Sequence, residues 1–467
     1  MGDGATPDPA PEAPAAVTVT GPVTGGVELA NAALQDLDAA GYVEEEYFIE
    51  GDATSYAMVG EPTPDGVWEA EEDDTAPYRT RIIVRRPADP DDFSGTVVVE
   101  WLNVSAGRDA DPDWGYLHPE LIREGHAWVG VSAQSVGVVG GDAVLEGIAL
   151  EGGLAGSDPD RYGTLTHPGD RYAFDIFTQA GAALLSSDGP DPLGELEPTS
   201  VIAAGESQSA FFLTTYVNAV QLLAGLYDGF LVHSRGAGAP ELSGARLGEG
   251  TLTDAVQIRT DLDEPVLIFE TETDLTELGY FAARQDDTDS VRVWEVAGTA
   301  HADAYLLEDV YGVPAEADVA SILDCAAPLN DGPQHEVLQA GFHHLVDWIA
   351  GGTPPPESPR LDVSDGDPPV IDRDELGLAL GGIRTPPVDV PVATLSGDPV
   401  EGGAEFCFLF GSTVPFDEAT LAELYPTYAD YVAAFEAAAD EAVAAGFLLR
   451  VDADAMVAEA EAADIGR

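Results

Sequence analysis

The stretch Thr199-Ser200-Val201-Ile202-Ala203-Ala204-Gly205-Glu206-Ser207-Gln208-Ser209-Ala210 decides how the rest of the chain is read. Its first half is a short apolar run, as in a strand covered on both faces, and it stops at Gly205. Past Ser207, Ala210–Leu223 is apolar nearly all round, which marks a helix buried in the middle of the molecule. A strand that turns sharply into a helix through small residues is the setting of a nucleophile elbow, where backbone strain exposes a serine Oγ. The usual pattern is G-x-S-x-G, and here Ser209, still small, takes the last position. The competing reading is an ordinary strand-to-helix loop in which Ser207 caps the helix.

A serine nucleophile needs a base, and the base needs a carboxylate to orient it. With an elbow serine, the acid and then the histidine follow along the chain, each just after a strand. Pro265–Glu270 reads as a strand, followed by Thr271-Glu272-Thr273-Asp274. Val291–Val296 reads as another, followed by Ala297-Gly298-Thr299-Ala300-His301. His301, in a loop of small residues, is the expected base, whereas His233 lies inside a strand and reads as a core residue. Asp274 is the preferred acid because the strand has just ended there; Glu272 is the alternative, and Glu270 reads as structural. An oxyanion needs two backbone N–H donors. Gln208, directly after the serine, is one. Asn103, in the loop after the third strand, is the first choice for the other, with turn formation as its competing role.

Outward from this stretch, strand and helix signals alternate, the mark of an α/β protein. Tyr42–Glu50, Tyr78–Arg86, Gly95–Leu102, Ala127–Ala133, Ser200–Ala204, Gly229–Ser234, Pro265–Glu270 and Val291–Val296 supply eight strands, mostly parallel, with helices on both faces. Asp170 can cap a helix carrying Ala173, Ile176, Phe177, Ala180 and Leu184 at helical spacing. Gln334–Ile349 is amphipathic and stops at Gly351-Gly352 before three prolines. Beyond it, Ser358–Val400 is rich in Pro, Gly and Asp and reads as an extended loop, with helices returning at Asp417–Leu424 and Thr427–Ala445. The expected organisation is a disordered leader over 1–26, a catalytic domain over 27–352, and a loop-rich, partly helical extension over 353–467 packed on the core.

The chain has 467 residues, with 18 arginines, no lysine and 86 acidic side chains, a net charge of −68. Nucleic acids and anionic membrane surfaces are excluded as partners, because both require basic patches. No apolar run reaches the ~20 residues of a membrane span. So many carboxylates without lysine suit a halophilic protein, whose surface stays hydrated where salt screens self-repulsion. Asp109, Asp111 and Asp113 alternate, but a calcium loop would need glycine where Trp114 stands, so a solvated acidic loop is expected. No CxxC pair exists to hold zinc, and no metal or organic cofactor is implied. The oligomeric state is not encoded in anything readable here.

Taken with the elbow, several segments resemble one known group: Glu100-Trp101-Leu102-Asn103, Gly125–Gln134, Trp294–Asp303, Pro328–Pro333, Gly381–Pro386 and Phe406-Cys407. The chain is similar to bacterial serine hydrolases of the alpha/beta hydrolase domain family, within the α/β-hydrolase superfamily, over nearly everything after Tyr78. The likeness implies an α/β-hydrolase fold and a secreted or periplasmic carboxylic-ester hydrolase, with Ser207 and His301 on motif positions. It names no substrate beyond a small-molecule or polymeric ester. Cytoplasm of a salt-adapted organism is the alternative location. An amidase or peptidase would use the same three residues, and a non-catalytic binding module on a degenerate hydrolase fold is the reading of another class. Cys325 and Cys407 lie in or near these segments. They are expected to be bonded to each other in an exported protein, two buried free thiols being the alternative.

Overall fold

The computed structural model describes residues 17–25, 29–141, 152–244, 252–314, 317–364, 366, 368–463 and 465. Ten strands form one sheet: β1 (Val17–Thr20), β2 (Tyr42–Met58), β3 (Ala70–Pro87), β4 (Thr96–Trp101), β5 (Ala127–Val131), β6 (Ser187–Asp188), β7 (Ser200–Glu206), β8 (Gly229–His233), β9 (Val266–Thr271) and β10 (Val291–Val296). Their order is β10-β9-β8-β7-β4-β5-β3-β2-β1-β6. From β10 to β5 the neighbours run parallel, while β3, β2 and β1 add on antiparallel.

All eight expected strands are present, and two short pieces enlarge the sheet. Residues 1–16 and 26 of the expected leader lie outside the described residues. Val17–Thr20, however, pairs with Phe48–Glu50 and buries Val17 and Val19. The boundary at residue 26 therefore falls beyond a strand, which the alternation Val-Thr-Val-Thr explains. The β2–β3 hairpin is also longer than expected, at 17 and 18 residues.

Side chains of β4 alternate across the sheet, as the pleat requires. Val97, Val99 and Trp101 face one core, where Trp101 packs on Phe174 and Phe177 of a helix over Ala173–Leu185 and on Phe212 of the helix after β7. Val98 and Leu102 face the other, beside Trp114 and Leu117 of α1 (Pro112–Glu124). The helix over Gln334–Ile349 packs on that second face, and so do Tyr431, Phe435 and Met456 from the two C-terminal helices, Tyr428–Ala445 and Arg450–Ala462. The C-terminal segment thus shares a core with the sheet. Between them, the described residues of 358–400 run as loop with three short strands, Val363–Ser364, Val370–Ile371 and Ala393–Ser396, and one brief helical turn. Among the described residues no helix is long and apolar enough to cross a membrane.

Candidate active site

At the end of β7 the chain turns at Ser207, whose φ of 54° and ψ of −120° lie in the left-handed region, and α2 (Gln208–Thr215) begins at the next residue. Such a conformation costs ~1–3 kcal/mol and persists only where the surroundings over-determine it. Here the Ser207 N–H donates to the His233 carbonyl at 2.9 Å. A Cβ on Gly205 would sit 3.2 Å from the Ser209 backbone, so the small residue is required by the close approach. Ser209 replaces the usual glycine without strain, because its Oγ donates to the Glu206 carbonyl at 2.7 Å and closes the turn.

The loop after β10 brings His301 Nε2 to 2.7 Å from Ser207 Oγ. The other ring nitrogen, Nδ1, lies 2.6 Å from Asp274 Oδ1. Asp274 is itself fixed, since its Oδ2 accepts from the Thr271 N–H and hydroxyl, each at 2.7 Å. This is a capping box at the start of the short helix after β9. Burial works against a charged His301, but the charge and hydrogen bond of Asp274, and then the charge of Glu206, raise its pKa above the usual value.

Glu272 turns away from the histidine. Its carboxylate accepts from the Gly298 N–H at 2.6 Å and the Gly397 N–H at 2.9 Å, and pairs with Arg373 at 2.7 Å. It joins the acid loop, the histidine loop and the C-terminal segment. Gly397 passes so close that a Cβ there would meet Glu272 Cβ and the Thr299 carbonyl at 2.6 Å. The Ala302 N–H donates to the Leu409 carbonyl at 3.0 Å, a second tie from the same segment to the histidine loop. Cys325 and Cys407 form a disulfide just before that tie. Glu270 is buried with neither carboxyl oxygen hydrogen-bonded, and burial, then Asp274, pushes its pKa well up.

Asn103 is not placed as expected. Its N–H donates to the Ala110 carbonyl at 2.9 Å, and Ala110 N–H returns a bond at 2.8 Å, so this backbone donor is already engaged. Its side-chain Nδ2 instead donates to the Glu206 carbonyl and to Glu206 Oε2, each at 3.1 Å. The next N–H, that of Val104, points to the elbow and donates to Gln208 Oε1 at 3.1 Å. The Gln208 N–H opens a helix, where no carbonyl lies a turn back to accept it. Gln134 Oε1 ties the arrangement together, accepting from Gln208 Nε2 at 2.6 Å and Trp101 Nε1 at 3.0 Å.

The three alternating aspartates are buried, not solvated. Asp109 pairs with Arg81 at 2.7 Å, Asp111 with Arg85 at 2.5 Å, and Asp113 with His233 Nδ1 at 2.9 Å. Glu100 caps α1 by accepting from the Asp113 and Trp114 N–H groups at 3.0 and 2.9 Å. Among the described residues, Glu120, Glu124 and His343 bring ligand-type atoms within 4.8 Å of one another. Arg123 and His343 already bond the Glu120 carboxylate, so the group is satisfied without an ion.

The family model described as "Alpha/beta hydrolase domain" matches residues 12–458. The chain belongs to that family. The sheet and its helices are accordingly an α/β-hydrolase fold. No curated protein matches the chain. Solved structures similar to it include an esterase from Rhizomucor miehei, at 12% identity over 65% of this chain and 85% of that one, with a TM-score of 0.30. A serine hydrolase without lid from Xanthomonas campestris matches at 9% identity over 53% and 86%, with a TM-score of 0.28. A glucuronoyl esterase from Solibacter usitatus matches at 8% over 62% and 83%, also with 0.28. Likenesses this distant carry no argument about activity.

Three residues of the site escaped the sequence reading: Glu206, Val104 and Arg373. Glu206 was visible inside the G-E-S triplet, but nothing local signals that its carboxyl meets the histidine.

Proposed function

We propose that the protein hydrolyses carboxylic esters through an acyl-enzyme on Ser207. The observation that carries the reading is the unbroken chain Ser207 Oγ to His301 Nε2, 2.7 Å, and His301 Nδ1 to Asp274 Oδ1, 2.6 Å. His301 takes the serine proton as Oγ attacks the ester carbonyl, and Asp274 holds the tautomer and the imidazolium. The oxyanion develops beside the Gln208 N–H at the positive end of α2, where each donor is worth ~3 kcal/mol in the transition state. Val104, rather than Asn103, is the second donor in this reading: its N–H is held only by the Gln208 side chain, which must release it to the oxyanion, whereas the Asn103 N–H is locked in a backbone bridge with Ala110. His301 then returns its proton to the leaving alcohol, and water releases the acyl group.

The strained serine argues against a purely binding role, since a binding module gains nothing from that conformation. The sequence of steps needs no cofactor. The disulfide supports export, because such bonds persist in oxidising compartments. Hydrolysis of p-nitrophenyl butyrate, abolished in Ser207→Ala while the fold is retained, tests the reading. Turnover at the wild-type rate in that variant would overturn it.

A further inference from the structure

We propose that Glu206 is a positioning residue whose carboxylate stabilises the imidazolium of His301 from the side of Nε2. The proposal rests on the serine-hydrolase reading above and deepens it. Glu206 Oε1 lies 3.6 Å from His301 Nε2, the nitrogen that also faces Ser207 Oγ. Asp274 flanks the opposite nitrogen at 2.6 Å. The ring therefore has a carboxyl group at each end. Glu206 is fully interior and cannot swing away, because Asn103 Nδ2 holds both its carbonyl and its Oε2. That leaves Oε1 toward the ring.

A separation of 3.6 Å is too long for a hydrogen bond, so Glu206 acts by charge. When the Ser207 O–H bond breaks and Oγ bonds the carbonyl carbon, the proton goes to Nε2. When the ester C–O bond breaks, the same proton goes to the departing oxygen. Glu206 neither gains nor loses a proton in these steps. An opposite charge this near favours the charged ring, while the spacing leaves Nε2–H free to serve the leaving group.

The groups facing Glu206 come from every element around it. His301 and Asp274 reach it from the loops after β10 and β9, His233 from β8, and Asp113 and Tyr116 from α1. Tyr311 faces it from the end of the helix over Ala304–Tyr311. Burial is the largest influence and raises its pKa, the two histidines lower it, the two aspartates raise it, and the balance sits at about 7. Glu206 and His301 thus each feel the other's charge.

The test is an NMR pH titration of the full chain with ¹⁵N-labelled histidine, His301 being assigned by the signal lost in His301→Asn. In Glu206→Gln, which keeps an acceptor for Asn103 but removes the charge, the His301 pKa should fall by about 1 unit. Glu206→Asp should keep most of the shift. In wild type alone, a His301 pKa at or below the usual 6.5 would overturn the proposal even if the glutamine variant does not fold. No substrate is needed, so the result stands apart from the ester reading. With p-nitrophenyl butyrate, the acid limb of kcat/KM should move down with the His301 pKa and kcat should drop about tenfold, as one unit implies, at unchanged KM. If His301 and the acid limb titrate alike in wild type and Glu206→Gln, Glu206 merely holds Asn103 and the proposal is wrong. Asn103→Ala separates the two roles, since it frees the side chain but keeps the charge and should leave the His301 pKa raised.

Discussion

Two residues apart in sequence, Glu272 and Asp274 face opposite directions and should fail differently. Asp274→Asn should cut kcat/KM by ~10³–10⁴-fold, the effect of losing the orienting acid, with little change in stability. Glu272→Gln should leave kcat/KM within about tenfold of wild type, yet lower unfolding free energy by roughly 1.5–3 kcal/mol, the range for hydrogen bonds to a charged group. Arg373 keeps Asp398 as a partner, which limits that loss. Urea unfolding and steady-state kinetics on the two variants separate these outcomes. The proposed mechanism requires neutral His301, whose pKa lies above the usual 6.5. Activity should therefore fall away as pH drops through a value above 6.5, and the limb should move lower in Asp274→Asn. That Ser207 and His301 lie together was legible because each stands in a local pattern of strand, turn and small residues. The choice of acid was less so, since what aims Asp274 is a capping box with Thr271 rather than its place after the strand. Asn103 misled because the engagement of its N–H depends on a bridge to Ala110, seven residues on, that no local pattern announces.

At the scale of elements, the C-terminal segment does two things: it adds helices to the second core and it grips the loops that carry His301 and Asp274. Asn330 adds to the grip, its Nδ2 donating to the Gly298 carbonyl at 3.0 Å. The disulfide spans 82 residues and holds Cys407 beside this grip. Closing a loop of that length is worth ~4–5 kcal/mol in the chain-entropy account. Cys325→Ser/Cys407→Ser should lose stability of that order in urea, and kcat should decline more than KM rises because the histidine loop loosens. An unchanged urea midpoint would contradict this. The core strands were readable as β-branched runs, whereas β1 shows its alternation over only four residues and β6, with two, carries none. The arginine partners of Asp109 and Asp111 were hidden for another reason. Arg81 and Arg85 lie on β3, and only the pairing of β3 with β5 brings them to that loop.

At the scale of the whole molecule both signs of charge go inward: among the described residues, acids such as Glu100, Asp113 and Glu295 are buried as well as Arg81, Arg85 and Arg235, and the surface that remains is still strongly acidic. Repulsion among the remaining carboxylates should fade as the Debye length falls from ~30 Å at 0.01 M to ~3 Å at 1 M salt. Tm should rise steeply with NaCl over that range; a flat Tm would mean the acids are too well spread to matter. A separate pH effect follows from buried carboxyls that burial keeps protonated: Glu206 and Asp303 at about 7, and Glu336 at about 8. Between pH 6.5 and 8 the unfolded chain has already lost these protons, whereas the native one sheds them only as pH passes about 7 for Glu206 and Asp303 and about 8 for Glu336, so stability falls as pH rises, by of order 1 kcal/mol per pH unit for each proton still held. His301, with its raised pKa, adds in the same direction, because its contribution is present at low pH and lost as pH climbs through the folded value. His126 and His335, pushed down to about 4 by burial, are neutral when folded but half protonated at 6.5 when unfolded, so they oppose this fall near pH 6.5 and drop out only at higher pH. Urea midpoints at pH 6.5 and 8 in 0.5 M NaCl check the sign; a higher midpoint at pH 8 would contradict it.

The tie between Glu272 and Gly397, with that between Ala302 and Leu409, also sets a schedule. A ribosome delivers residues in order, so Ser207, Asp274 and His301 all emerge well before the backbone groups that fix their loops. Until residue 409 has cleared the exit tunnel, a nascent chain carries Ser207, Asp274 and His301 without these two ties. The arrangement proposed as the active site therefore gains its last backbone fastenings late in synthesis.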